Sequence, residues 1–142
     1  PIVLAHSARN RSAAIRIPMY SDSPKAKRIE TRFPDPSGNC YLIFSALLMA
    51  GLDGIKNKIK PTKPLEEDIY ELSEKELSKY PSVPAALEES LDELRKDHKF
   101  LLEGNVFTKE FIDGYINYKM DNEITPWRTR PNPLEFVMYY SV

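Results

Sequence analysis

The stretch Arg28-Ile29-Glu30-Thr31-Arg32-Phe33-Pro34-Asp35-Pro36-Ser37-Gly38-Asn39-Cys40-Tyr41-Leu42-Ile43-Phe44 changes its hydropathy pattern twice within seventeen residues. From Arg28 to Phe33 it alternates, with Ile29, Thr31 and Phe33 on one face and Arg28, Glu30 and Arg32 on the other, as a strand does. Pro34 to Gly38 then supplies the residues that stop a strand and turn the chain. From about Asn39 to Lys58 the sequence is apolar nearly all round at its start, which predicts a helix lying in the core. Gly51 and Gly54 weaken the middle of that helix.

Upstream, Ser12–Pro18 alternates too: Ala13, Ile15 and Ile17 face one way, Ala14 and Arg16 the other. Pro1–His6 is short, apolar and strand-like, and Ser21-Asp22-Ser23-Pro24 is turn chemistry. Two adjacent strands joined by a short connection suggest an antiparallel hairpin, each strand with a basic polar face. Downstream, residues 59–72 carry Pro61 and Pro64 and read as an irregular surface loop ending in Ile69-Tyr70-Glu71-Leu72. Ser73 with Glu76 forms a capping box for a short helix. Ser82 and Pro84 open the next helix, in which Leu87, Leu91 and Leu94 form a stripe. Thr108 caps another, with Phe111, Ile112, Tyr115 and Ile116 on its inner face, and Asn132-Pro133 starts a last apolar helix. The expected fold class is therefore α+β: short antiparallel strands at the N-terminal end, residues 1–35, followed by a mainly helical region, residues 36–142, that contains the 59–72 loop.

At 142 residues the chain has room for one domain of ordinary size. With 42% apolar and 29% charged residues and 12 prolines against 5 glycines, it reads as globular. Its 20 basic and 21 acidic residues nearly cancel, which argues against a globally basic nucleic-acid binder and against a polyanionic disordered chain. One cysteine, Cys40, excludes an internal disulfide and favours a reducing compartment; at the start of the apolar helix it reads as a small core residue, not a nucleophile. The most apolar run, Cys40–Leu52, falls short of the roughly 20 residues a bilayer requires, so no membrane span and a soluble protein are expected. The chain starts on Pro1 with no leader, which reads as an internal cut in a larger protein.

Local charge says more than net charge. Residues 1–32 hold seven cations against Asp22 and Glu30, a balance of +5, whereas residues 66–97 hold eleven acids against four cations, a balance of −7. The basic segment is suited to holding anions, while the acidic one has the composition of solvated helix faces. Arg11, Arg16, Lys25, Arg28 and Arg32 are each ordinary as surface residues, but several cations on one face of neighbouring strands repel unless something negative sits between them. Arginine suits phosphate or carboxylate because its planar fork binds two oxygens at once. Glu30, flanked by Arg28 and Arg32, is either their internal ion-pair partner or a ligand for Mg²⁺ or Mn²⁺. His6 and His98 are far apart and stand at no zinc-ligand spacing, and Walker and Rossmann glycine loops are absent. No aromatic interleaving of the basic strands supports nucleic-acid binding.

Ser7-Ala8-Arg9-Asn10-Arg11-Ser12-Ala13-Ala14-Ile15-Arg16-Ile17-Pro18, followed by Lys25-Ala26-Lys27-Arg28-Ile29-Glu30-Thr31-Arg32-Phe33-Pro34-Asp35, closely resembles the C-terminal part of the catalytic domain of bacterial type I glutamine synthetase. The resemblance continues through Asn39 to Ile59, including Ala50-Gly51-Leu52-Asp53-Gly54-Ile55-Lys56-Asn57-Lys58, and ends on Glu135-Phe136 and Tyr139-Tyr140-Ser141-Val142.

The resemblance implies a cytoplasmic ligase that joins glutamate and ammonia with ATP through a γ-glutamyl phosphate, using two divalent ions, Mg²⁺ or Mn²⁺. By the same resemblance Arg11 and Arg16 contact ATP phosphates and the transferring phosphoryl group, and Lys25 and Arg28 lie on the nucleotide side. Glu30 is implied as a metal ligand, Arg11 and Arg32 as catalytic residues, and both also as contacts to substrate glutamate. Tyr70 matches a tyrosine that accepts AMP from an adenylyltransferase; its segment reads Asp68-Ile69-Tyr70-Glu71-Leu72-Ser73, with Ser73 where the family has proline. Segment 134–142 is implied to contact the opposite ring of a dodecamer of two stacked hexamers, where an apolar tail would otherwise pack on its own domain. Pro126-Trp127-Arg128-Thr129-Arg130-Pro131 departs from the commonest family wording before that tail. An isolated fragment of such an enzyme is expected to be inactive; the alternative is a regulatory and oligomerisation module with no activity of its own.

Overall fold

The computed structural model describes residues 3–8, 10–20, 22–65, 67 and 71–141. The chain divides into two compact units, Pro1–Val83 and Pro84–Val142.

In the first unit three two-residue strands, β1 (His6–Ser7), β2 (Ile15–Arg16) and β3 (Glu30–Thr31), form one sheet in that order. The expected antiparallel pairing joins β2 to β3, with Ile15 opposite Thr31 and Arg16 opposite Glu30. β1 adds to the other side of β2 in parallel, His6 opposite Ile15 and Ser7 opposite Arg16. The strands are shorter than the alternation predicts, for a local reason. Asn10 Oδ1 accepts from the Ser12 N–H at 2.9 Å and the Ser12 hydroxyl at 2.5 Å, which curls residues 10–14 into a turn. Ala13 and Ala14, expected on opposite faces of a strand, are therefore both buried. The link from β2 to β3 is longer than a hairpin turn and contains a 3₁₀ turn, Pro24–Ala26.

Val3, Ala5 and Leu65 form the unit's core cluster, with Leu72, Leu77 and Tyr80 packed against it. Leu65, inside the stretch expected as a surface loop, is only 2% exposed and its N–H donates to the His6 carbonyl at 2.9 Å. Burying one leucine pins a loop that its prolines and charges would otherwise leave in water.

Helix α1 (Cys40–Lys56) starts where the sequence predicts, because Asn39 Oδ1 accepts from the N–H groups of Tyr41 and Leu42 at 3.0 and 3.3 Å. Gly38 leaves room just before it: a Cβ there would meet Ile43 Cδ1 at 2.6 Å, so the end of that side chain would have to shift, and would crowd the Asp35 carbonyl at 3.1 Å. The expectation that α1 lies in the core is corrected. Tyr41, Phe44, Leu48, Leu52 and Ile55 are exposed, and Met49 is the helix's buried residue. Those five positions recur every three or four residues and so share one face. Cys40, expected in the core, is exposed for the same reason. At helix α2 (Glu74–Leu77) half of the expected capping box forms: the Ser73 N–H donates to Glu76 Oε2 at 3.0 Å, while the Ser73 hydroxyl donates to the same oxygen at 2.6 Å and the Glu76 N–H bonds the Ser73 carbonyl instead.

In the second unit α3 (Leu87–Lys96) begins later than expected. Ser82, read as its start, belongs to the first unit, where it forms an isolated antiparallel bridge with Val3, and Ala86 is still extended. Of the leucine stripe, Leu91 is buried, Leu94 half-buried and Leu87 exposed. A 3₁₀ segment, Lys99–Asn105, leads to α4 (Lys109–Lys119), capped by Thr108 Oγ1, which accepts from the Phe111 N–H at 3.2 Å. Ile112 and Ile116 point inward as expected and are buried, as are Leu101 and Ile124, whereas Tyr115 is half-buried and Phe111, expected beside them, is exposed. The chain passes from α4 through a π-helical turn, Met120–Ile124, into α5 (Thr125–Arg128). Pro126 follows, and its missing N–H removes one i→i−4 bond at that junction. Arg128 pairs with Glu88, tying α5 to α3.

Helix α6 (Pro133–Tyr139) has a complete capping box between Asn132 and Glu135. Its apolar residues Leu134, Phe136, Val137, Met138 and Tyr139 are exposed, so the tail does not pack on its own domain. No described helix is long and apolar enough to cross a membrane.

Candidate functional site

The antiparallel register of β2 and β3 decides which charges meet. Arg16 stands opposite Glu30, and Arg32 lies two residues beyond Glu30 on the same face of that strand. Arg16 Nη1 is 3.6 Å from Glu30 Oε2, and Arg32 Nε is 3.2 Å from Glu30 Oε1. One carboxylate therefore sits between two guanidiniums, and the trio keeps an excess of one positive charge. The side chains of Arg16, Arg32 and Glu30 are 24%, 31% and 41% exposed, so the group is open to water, which partly screens it. Glu30 forms the ion pair expected with Arg32, but its second partner is Arg16 across the strand pair and not the expected Arg28.

Arg32 does a second job. Its Nη1 donates to the backbone carbonyl of Arg11, which fastens the 10–14 turn to β3. The backbone bond from the Arg32 N–H to the Ala14 carbonyl, 2.8 Å, acts in the same place. Arg11 is exposed at the tip of that turn. Arg16, Glu30 and Arg32 thus meet through their side chains at the β2–β3 pair, and Arg11 joins them through its backbone carbonyl.

The other predicted residues lie elsewhere. Lys25 is exposed in the 3₁₀ turn of the β2–β3 connection. Arg28, also exposed, rests over the ring of Tyr20 with its Cζ 4.7 Å from the ring centroid. The residue pattern does not single out Tyr20, because its partner lies eight positions on, beyond the 3₁₀ turn at Pro24–Ala26. Tyr70 lies outside the described residues.

Beside the trio opens a pocket of about 500 Å³, lined by Glu30, Arg32, Asp35, Gly38, Cys40 and Phe44 among others. Hydrogen bonds from the Ser37 hydroxyl and N–H, 2.5 and 2.8 Å, hold the Asp35 carboxyl below its usual pKa of 3.8. The pocket is therefore edged by charge at one end and by the apolar face of α1 at the other.

A divalent cation needs several oxygen or nitrogen donors arranged around it. Among the described residues no group of three His, Cys, Asp or Glu side chains is placed to hold one. Glu30 offers a single carboxylate already shared by two arginines, so these residues do not by themselves make a metal site.

The family model described as "Glutamine synthetase, catalytic domain" matches residues 1–139. Over all 142 residues the chain is 56% identical to the glutamine synthetase of Streptomyces viridochromogenes and 54% identical to that of Mycobacterium tuberculosis, covering 30% of each. A cryo-EM structure of Plasmodium falciparum glutamine synthetase superposes with a TM-score of 0.83 at 30% sequence identity, over 98% of this chain and 34% of that one. The chain thus spans about a third or less of the length of these relatives.

Proposed function

The chain belongs to the glutamine synthetase catalytic-domain family, and on that premise we propose that it is the C-terminal part of a ligase forming glutamine from glutamate, ammonia and ATP. The observation that carries the reading is the Arg16–Glu30–Arg32 trio, with its net positive charge on a solvent-accessible sheet face. Transfer of the γ-phosphoryl group of ATP to the glutamate side-chain carboxylate forms γ-glutamyl phosphate, and ammonia then displaces phosphate. Such a transfer asks the protein for positioning and charge neutralisation and little covalent chemistry.

In this reading Arg11 and Arg16 bind phosphate oxygens of ATP, Lys25 and Arg28 approach the nucleotide from the β2–β3 connection, and Arg32 addresses the transferring phosphoryl group together with substrate glutamate. Arg11 shares that contact to glutamate. The hydrogen bond from Arg32 to the Arg11 backbone supports treating the two as one unit, since it sets the position of the turn from which the Arg11 side chain reaches out. Glu30 keeps the two strand arginines from repelling each other before substrate arrives. The family uses Mg²⁺ or Mn²⁺; Glu30 is one ligand, and the other donors come from parts of the enzyme outside these 142 residues.

Three further features accompany the reading. The exposed apolar face of α1 supports a longer polypeptide that covers it. The exposed apolar α6 fits segment 134–142 contacting the opposite ring of a dodecamer of two stacked hexamers. Tyr70 is the acceptor for an adenylyltransferase; Glu67 and Glu71, the described residues nearest to it, are exposed. A cytoplasmic location goes with this enzyme.

The test uses the full-length protein that carries this segment. Arg32→Ala is expected to abolish most ATP-dependent glutamine formation while the thermal melt stays close to that of the parent. The 142-residue chain assayed alone with Mn²⁺ and ADP for γ-glutamyl transfer is expected to be inactive. Unchanged kinetics in Arg32→Ala would sink the assignment.

A further inference from the structure

Arg28 is held differently from the two strand arginines. Arg16 and Arg32 lean on a carboxylate, which orients them but also cancels part of their charge. Among the described residues Arg28 pairs with no carboxylate; its guanidinium lies 4.7 Å from the centre of the Tyr20 ring instead. The negative face of an aromatic ring attracts a cation without neutralising it and without occupying its N–H donors. Arg28 also sits beside Lys25 and Lys27, whose like charges would drive a long, unheld side chain outward into many rotamers. Tyr20 itself has no core role, being 62% exposed.

We propose that Tyr20 is a positioning residue for Arg28: its ring preorganises the guanidinium to meet the nucleotide without pairing it to a carboxylate. The inference rests on the proposed function above, in which Arg28 approaches ATP. Tyr20 and Arg28 flank the 3₁₀ turn that carries Lys25. The ring therefore braces the whole cationic connection between β2 and β3 at its two ends. Preorganisation of this kind acts on the affinity for ATP and leaves the chemical step alone, because neither group touches the bond that breaks.

The test is steady-state kinetics of the full-length enzyme carrying Tyr20→Ala, Tyr20→Leu, Tyr20→Phe and Arg28→Ala, with the double variant Tyr20→Ala/Arg28→Ala. Tyr20→Ala and Tyr20→Leu are expected to raise the KM for ATP about two- to fivefold, the range of an exposed cation–π contact, with kcat and the KM for glutamate unchanged. Tyr20→Phe keeps the ring face and should retain the parent KM. In the Arg28→Ala background Tyr20→Ala should add nothing. If Arg28→Ala raises the KM for ATP but Tyr20→Ala does not, or if Tyr20→Phe is as impaired as Tyr20→Ala, the positioning role is wrong while the functional assignment stands. If Arg28→Ala leaves the KM for ATP unaltered, the placement of Arg28 on the nucleotide fails, and the role of Tyr20 fails with it.

Discussion

Arg16 and Glu30 are directly opposed residues of the antiparallel β2–β3 pair, and their side chains close to 3.6 Å. Glu30 takes Arg32 on its other oxygen at 3.2 Å. The relationship separates two effects that a substitution at Glu30 would otherwise confuse.

Partly exposed ion pairs contribute about 0–1 kcal/mol each. Glu30→Gln is therefore expected to move the thermal midpoint of the full-length protein only slightly. Glutamine formation should fall by about 10²-fold or more, the scale of losing a preorganised electrostatic group at a reacting centre. A large fall in thermal stability with activity retained would make Glu30 a structural residue only.

Leu65 ties the proline-bearing loop to the core through Val3 and Ala5. Leu65→Ala is expected to cost about 2–5 kcal/mol in urea unfolding of the chain, the usual range for emptying a buried leucine site. A cost below about 1 kcal/mol, the scale of a surface substitution, would mean that the loop is not docked there.

Gly51 stands inside α1, and a Cβ added there meets nothing within 4 Å. Gly51→Ala should stabilise the 142-residue chain by about 0.5–1 kcal/mol, through helix propensity alone. Destabilisation on denaturant titration would place a neighbour against that face.

The Ser73 hydroxyl and N–H bond the Glu76 carboxylate and hold its pKa below the ordinary 4.5. A carboxyl whose folded pKa is depressed adds stability that is complete above the unfolded value and disappears as pH falls through the folded value. The α2 cap should accordingly hold at pH 6–7 and be lost on acidification below about 4.5, and Ser73→Ala should flatten that part of the pH profile. Hydrogen exchange of residues 74–77 across the range would read it; equal acid sensitivity in parent and variant would refute it.

Adenylylation of Tyr70 is checked by intact mass after incubation with an adenylyltransferase and ATP. We expect one AMP adduct, removed by phosphodiesterase and absent from Tyr70→Phe. An adduct that persists in Tyr70→Phe would assign the modification to another residue.

Features that depend on near neighbours were legible in the residues themselves. Thr108 caps its helix as expected, and the helices expected to begin near Asn39, Ser73 and Asn132 begin there, because a cap is a bond between a side chain and backbone groups two or three positions away. The cationic group around Glu30 was legible too, since its members lie within two short strand segments. Tyr20 was not, because its partnership with Arg28 exists only once the connection between them has folded back.

The sequence by itself determined that strands precede helices here, where most of the helices start, and that arginines gather around one glutamate. Tertiary structure alone decided the rest. Pairing Arg16 with Glu30 requires one register, and a slip of a single residue would turn every side chain of the strand to the other face. The start of α3 moved because Ser82, a good capping residue, was taken by a bridge to Val3 nearly eighty residues away. And α1, apolar enough to be read as a core helix, exposes Tyr41, Phe44, Leu48, Leu52 and Ile55. Hydrophobicity is a property of the residues, but burial is a property of what packs against them.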